Sequence, residues 1–110
     1  MRRRLGDRMV ELDNEGYLVS PDDWGQDIAI AMAEADGLRL VEDHWAVIAL
    51  LRDYWYCSFV SPPLRILVKI ASARPGLIDG GTPQLYRLFP GGPAKQGCRY
   101  AGLPKPRGCV

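Results

Sequence analysis

Acidic side chains vanish from this chain after Asp79; the last 31 residues contain neither aspartate nor glutamate. Residues 1–60 hold twelve acids and six bases, whereas residues 61–110 hold one acid and eight bases, a net −6 against a net +7. So base-rich an end suits an anion or an acidic partner, or else a face that complements the acidic half of the same fold. No apolar run approaches the roughly 18–20 residues that span a bilayer. The start, MRRRLGDRM, is basic but is not followed by the apolar core of a secretory signal, so the expected location is the cytoplasm. His44 is the only histidine and no C-x-x-C or C-x-H spacing occurs, which argues against a zinc site. Glycine-rich phosphate loops, nucleophile elbows and paired-carboxylate spacings are missing as well. Three cysteines make an odd number for a disulfide framework, and in a reducing compartment such thiols point to redox or transfer chemistry.

What remains is an ordinary globular composition, 47% apolar and 25% charged over 110 residues, enough for one domain with one core. Residues 8–20, RMVELDNEGYLVS, place two β-prone runs around Asp13-Asn14-Glu15-Gly16 and predict a hairpin. Ser20-Pro21-Asp22-Asp23 then opens a helix predicted over 21–36, with Trp24, Ile28, Met32 and Ala35 on one face and Gly37 as its stop. A second helix, 42–59, carries Trp45, Ile48, Ala49, Trp55, Tyr56 and Phe59, and its aromatics make it the expected centre of the core. Val41 stands where a Ser or Thr cap would be expected. Ser61-Pro62 caps a third helix over 62–73 with an apolar stripe of Leu64, Leu67, Val68 and Ala71, ended by Pro75-Gly76.

A loop leads to a short helix from Thr82-Pro83 bearing Leu85, Leu88 and Phe89, and a last helix runs from Pro93 to about Ala101 before Gly102. The fold class is therefore mainly α, a small α+β helical bundle with an N-terminal β-hairpin. Residues 1–102 form the domain; residues 103–110, with two prolines and a glycine, form an arm with little to bury and expected mobility. The second and third helices also resemble a helix-turn-helix, followed by Arg65, Lys69 and Arg74. Any two helices so briefly joined look alike, so a nucleic-acid regulator stays as an alternative and nucleic acid is not the expected partner.

The residues with chemistry in them are Cys98 and Cys109, in CRYAGLPKPRGCV. A thiol one residue from the end of an extended arm, with a second thiol able to meet it, reads as a reactive sulfur and its resolving partner. The arm reaches on the order of 25 Å when extended. Closing it into a loop stabilises by about 3 kcal/mol on the chain-entropy view, compatible with reversible exchange or with a plain stapling disulfide. Lys105 and Arg107 favour the thiolate while the terminal carboxylate opposes them, each by about 0.6 kcal/mol at about 7 Å in water. Cys109 is thus expected to be an ordinary thiol until a partner activates it. Cys57, among Tyr54, Trp55 and Tyr56, reads as a buried core thiol. Arg87, Lys95, Arg99, Lys105 and Arg107 are candidate anion or partner-docking residues.

LYRLFPGGPAKQGCRYAGLPKPRGCV, together with NEGYLV, EDHWAVIALLRDYW and SPPLRILVK in the same order, resembles the DsrC/TusE family of small sulfur carriers over nearly the whole chain. The resemblance implies a mostly helical fold with an N-terminal hairpin and a flexible C-terminal arm. It implies that Cys109 carries the persulfide and that Cys98 is the second arm cysteine, which marks the DsrC branch; members of the TusE type, acting in tRNA thiolation, lack it. The branch implies a protein co-substrate of dissimilatory sulfite reductase, not a stand-alone catalyst, with sulfur bridging the cysteines as a trisulfide. Sirohaem and iron–sulfur clusters would belong to that reductase, and no cofactor is expected on this chain. Further implied partners are a DsrEFH/TusBCD-type sulfurtransferase and the soluble part of a membrane-bound redox complex. Cys57 lies outside the family motif.

Overall fold

The computed structural model describes residues 1–77 and 81–106. Its elements are β1 (Arg2–Leu5), β2 (Arg8–Glu11), a 3-10 turn (Pro21–Asp23), α1 (Gln26–Ala35), α2 (Glu42–Ser58), α3 (Leu64–Ser72), α4 (Thr82–Leu88) and α5 (Pro93–Tyr100). The mainly helical α+β architecture with its N-terminal hairpin is as expected, but the hairpin is shifted along the chain. β2 pairs antiparallel with the arginine run, Arg2 facing Glu11 and Leu5 facing Arg8, around a tight turn at Gly6-Asp7. The expected second strand survives as one bridge, Leu12 to Leu18, beside the turn that Asp13 closes through Tyr17. Three consecutive arginines disguised β1, yet charge is what an exposed edge strand tolerates.

The helix expected over 21–36 is broken. Pro21–Asp23 makes a 3-10 turn, Trp24 and Gly25 are extended, and α1 begins at Gln26. Trp24 leaves the helix because its indole donates to the Tyr100 carbonyl 2.7 Å away. Gly37 does end the segment, in the left-handed region at φ 74°.

α2 matches its predicted span but buries a different stripe. His44, Val47, Ile48, Leu51 and Arg52 are the inward residues, at the i, i+3, i+4, i+7, i+8 spacing of a single helix face. Ala49, Tyr56 and Phe59 are exposed and Trp45 and Trp55 only half-buried, so the aromatics flank the core instead of centring it. Two polar side chains can lie on the inner face because both are fully used. His44 Nδ1 accepts from the Val41 N–H at 3.0 Å, which puts the ring proton on Nε2, and Nε2 donates to the Leu88 carbonyl at 2.7 Å. His44 thereby satisfies the Val41 N–H from the N3 position, the reciprocal half of a capping box, while the bond a Ser or Thr at 41 would accept is not made.

The hub of the packing is α5, which touches α1, α2, α3 and α4. Three of its inner residues are small, Ala94, Gly97 and Cys98, and a methyl on Gly97 would lie 3.1 Å from Leu51 Cδ1. Close approach of four helices needs such a thin face. Tyr100, Phe89, Leu85, Leu67 and Ile28 fill the space around it.

Candidate functional site

The site is best built outward from the end of α5, where the arm begins. A helix end leaves carbonyls without partners, and buried ones must find donors. Here the Leu103 N–H donates to Cys98 O at 2.9 Å, Trp24 Nε1–H donates to Tyr100 O, and Arg52 donates from its guanidinium to Ala101 O at 2.6 Å. Arg52 also donates to the Tyr56 hydroxyl at 2.8 Å and lies 4.2 Å from the Trp24 ring centroid. A buried charge is tolerable when hydrogen-bonded and stacked in this way. Gly102 turns the chain at φ 73° directly against Trp24.

The first residues of the arm are seated, in contrast to the expectation that it has little to bury. Leu103 is fully buried, Pro106 is buried, and Pro104 is partly covered. Ser61, expected to cap α3, instead donates its hydroxyl to the Pro104 carbonyl, and Pro63 holds the cap position. Lys105 Nζ pairs with Glu15 at 2.8 Å. The arm root is therefore fastened by residues from the α2–α3 connection and from the turn after β2.

Cys98 lies on the inner side of α5 at 0% exposure. Cys109 and Arg107 lie outside the described residues. Cys57 is exposed and carries a free thiol, correcting the expected core position. The correction follows from the rotated stripe, since residue 57 sits away from the 44, 48, 52 face. Lys95, Arg99 and Lys105 do come together, lining an open groove of about 380 Å³ with Glu15, Tyr17 and Asp36. Arg87 is exposed on α4 and does not line it. Arg99 pairs with Asp36 as Lys105 does with Glu15, so C-terminal bases are matched to N-terminal acids across the fold. Exposed pairs of this kind contribute little stability and are easily exchanged.

Beneath the groove, the Tyr100 hydroxyl donates to Asp36 at 2.6 Å and accepts from Gln96 at 2.7 Å, and Gln96 Oε1 accepts from the Gly91 N–H. Burial, seconded by the Asp36 carboxylate and opposed by Gln96, pushes the phenol up to about 12. Among the described residues no group of three or more His, Cys, Asp or Glu is placed to hold a metal ion, and no helix is long and apolar enough to cross a membrane.

Sequence reasoning missed Arg52, Trp24, Ser61 and Asp36. One signal was available for Arg52, a charge set four residues from both Ile48 and Tyr56 on one helix face. The others are joined to their partners only by the tertiary fold.

The family model described as "DsrC like protein" matches residues 4–110. Sulfurtransferase TusE of Escherichia coli (strain K12) is 43% identical over 101 residues, covering 92% of this chain and 93% of that protein. The NMR structure of Allochromatium vinosum DsrC matches with a TM-score of 0.88 at 43% identity, over 100% of both chains. The oxidised gamma-subunit of dissimilatory sulfite reductase (DsrC) from Archaeoglobus fulgidus, a crystal structure, matches with a TM-score of 0.83 at 38% identity, again over 100% of both. With a family model spanning nearly the whole chain and relatives this similar along their full length, the protein belongs to the DsrC/TusE family of sulfur-relay proteins.

Proposed function

We propose that the protein is a cytoplasmic sulfur carrier of the DsrC type, with Cys109 as the carrying thiol and Cys98 as the resolving one. The observation that carries this is the pair itself: a penultimate cysteine and a second cysteine at the arm's base, in a chain of the DsrC/TusE family. In loading, the Cys109 thiolate attacks the outer sulfur of a donor persulfide, the donor thiolate leaves, and Cys109 becomes a persulfide. In resolution, the Cys98 thiolate attacks the Cys109 sulfur, hydrosulfide leaves, and a disulfide remains that two electrons return to two thiols. With sulfite, two thiols supply two electrons and the reductase two more. One sulfite, two thiols and four protons then give a trisulfide and three waters.

The donor in this reading is a DsrEFH/TusBCD-type sulfurtransferase, the oxidant or reductant of sulfur is dissimilatory sulfite reductase, and the soluble part of a membrane-bound redox complex regenerates the carrier. Sirohaem and iron–sulfur clusters reside on those partners. Arg99 and Lys105 can exchange the carboxylates of Asp36 and Glu15 for anionic groups of a partner, and Lys95, Arg87 and Arg107 are further candidate bases for such groups. A TusE-like relay toward tRNA thiolation is the second reading, favoured by the 43% identity to the sulfurtransferase of Escherichia coli. Cys98 is the residue that separates them.

Intact-mass analysis after incubation with a persulfide donor tests the assignment. An adduct of about 32 Da is expected transiently on wild type, giving way to the Cys98–Cys109 disulfide; it is lost in Cys109→Ser and persists, unresolved, in Cys98→Ser. Because Cys57 is exposed, the series is run in a Cys57→Ser background as well. An adduct that survives Cys109→Ser but disappears with Cys57→Ser would refute the carrier role of Cys109.

A further inference from the structure

The C-terminal end of α2 carries a cluster that the fold does not need. Tyr56, Phe59 and Val60 are all exposed, Phe59 at 71% and Val60 at 53%. With Trp55, Ser61, Pro63 and Pro104, the last two of these residues line a groove of about 520 Å³. Single exposed apolar residues are unremarkable on a protein surface, but a contiguous apolar cluster marks a place where something binds.

A second, independent observation concerns the backbone. Phe59 ends α2 in the left-handed region, at φ 57° and ψ 25°, the only described non-glycine residue with positive φ. Glycine is the residue that takes this cap position without strain. The chain instead keeps a phenylalanine there, with its ring edge-on to Trp55 at 6.2 Å and otherwise turned to solvent. Strained residues of this kind cluster at ligand clamps and switch regions.

The arm's length says what uses it. Pro104 forms part of the groove wall and is held by the Ser61 hydroxyl, so the groove and the arm root are one rigid unit. Cys109 is five residues beyond Pro104 in the sequence, and a fully extended chain covers at most about 17 Å over that distance. A protein that takes the Cys109 thiol into its own active site therefore has that site within about 17 Å of Pro104, a range that takes in this groove. Lys105 lines both this groove and the polar one beside Glu15 and Asp36, so the apolar seat has a charged rim on the side where the arm departs. An apolar centre with a polar edge is the anatomy of a protein interface.

We infer that the Trp55–Phe59–Val60–Pro104 groove is the docking seat for the sulfurtransferase that loads Cys109, receiving an aliphatic or aromatic side chain from the rim of that enzyme's active site. The inference rests on the carrier reading and adds to it a surface that the cysteines do not define.

Persulfide transfer is measured from a loaded DsrEFH- or TusBCD-type sulfurtransferase to the full-length protein, beside loading of the same protein by inorganic polysulfide. The key variant is Phe59→Gly, which removes the ring and relieves the backbone at once, so its melting temperature is expected at or above that of wild type. Its KM in the protein-to-protein reaction should rise about tenfold or more, with kcat and polysulfide loading within about twofold. Val60→Ser should act in the same direction, and Tyr86→Ala, at an exposed aromatic on α4, should have no effect. The docking assignment is overturned alone if wild type accepts sulfur, Cys109→Ser does not, and Phe59→Gly keeps its KM. An equal loss in Tyr86→Ala, or a parallel loss of polysulfide loading, also overturns it. Failure of wild type to accept sulfur from either enzyme, or transfer that persists in Cys109→Ser, overturns the carrier reading together with the seat.

Discussion

Gly102→Ala adds one methyl at the point where α5 hands over to the arm, and the cost can be worked out. Gly102 sits at φ 73°, which for an L-residue costs about 1 kcal/mol. The new Cβ would lie 2.5, 2.7 and 2.8 Å from Trp24 Cδ1, Cβ and Cγ, about 1 Å inside normal contact. Trp24 cannot simply step back, because its indole N–H is committed to Tyr100 O and its ring to Arg52. Overpacking of this kind costs about 1–3 kcal/mol, and losing the indole hydrogen bond about 1 more. The total is about 3–5 kcal/mol, a large share of the roughly 5–15 kcal/mol that holds a domain together. Gly37→Ala is the matched control: φ is 74° but nothing lies within 4 Å of the added carbon. It should cost about 1 kcal/mol and lower Tm by about 4–8 °C, whereas Gly102→Ala should lower it by about 12–40 °C. Urea and thermal unfolding followed by far-UV circular dichroism read both. Destabilisation of the two variants agreeing within about 0.5 kcal/mol would refute the view that Trp24 braces the arm root.

Arg52→Ala should destabilise by about 2–3 kcal/mol in urea unfolding, because Ala101 O is left buried without its donor. Arg52→Lys should recover less than half of that, since one ammonium cannot serve Ala101 O and the Tyr56 hydroxyl while stacking on Trp24. Tyr100 stays protonated in the fold to about pH 12, above its ordinary value of 10.0, so its contribution is complete below pH 10 and is lost as the pH climbs toward 12. Tyr100→Phe should accordingly be less stable than wild type by about 1 kcal/mol near neutrality, with the gap closing in the alkaline range; a gap independent of pH would contradict the assignment. Brief iodoacetamide treatment of the native protein should alkylate Cys57 and spare Cys98 until denaturant is added, as read by peptide mass spectrometry.

Helix boundaries were legible in the sequence wherever prolines, acids and glycines punctuate it, which is why α2, α4 and α5 begin within about two residues of their expected starts. The face of α2 was not legible, and the reason is specific. Weighting the aromatics rotated the stripe by one position, since His44 and Arg52 look like solvent residues until the carbonyls of Leu88 and Ala101 are known to wait for them. The same rotation put Cys57 inside when it is outside. The hairpin shift has a different origin, because β1 carries three charged residues and offers no alternation beyond Leu5. For the site, spacing alone singled out the cysteine pair and brought Lys95, Arg99 and Lys105 to notice. Asp36 and Glu15, the N-terminal partners of Arg99 and Lys105, could not be read without the fold.

The carbonyls at the end of α5 take their donors from Trp24 and Arg52, 76 and 49 positions earlier in the chain. Contacts so far apart in sequence are assembled late, after loop closure over most of the polypeptide. The ribosome also makes α5 last, once the segments that brace it have already been synthesised. A nascent or misfolded chain therefore has no braced arm root: Leu103 to Pro106 are seated only once the whole domain has closed around α5.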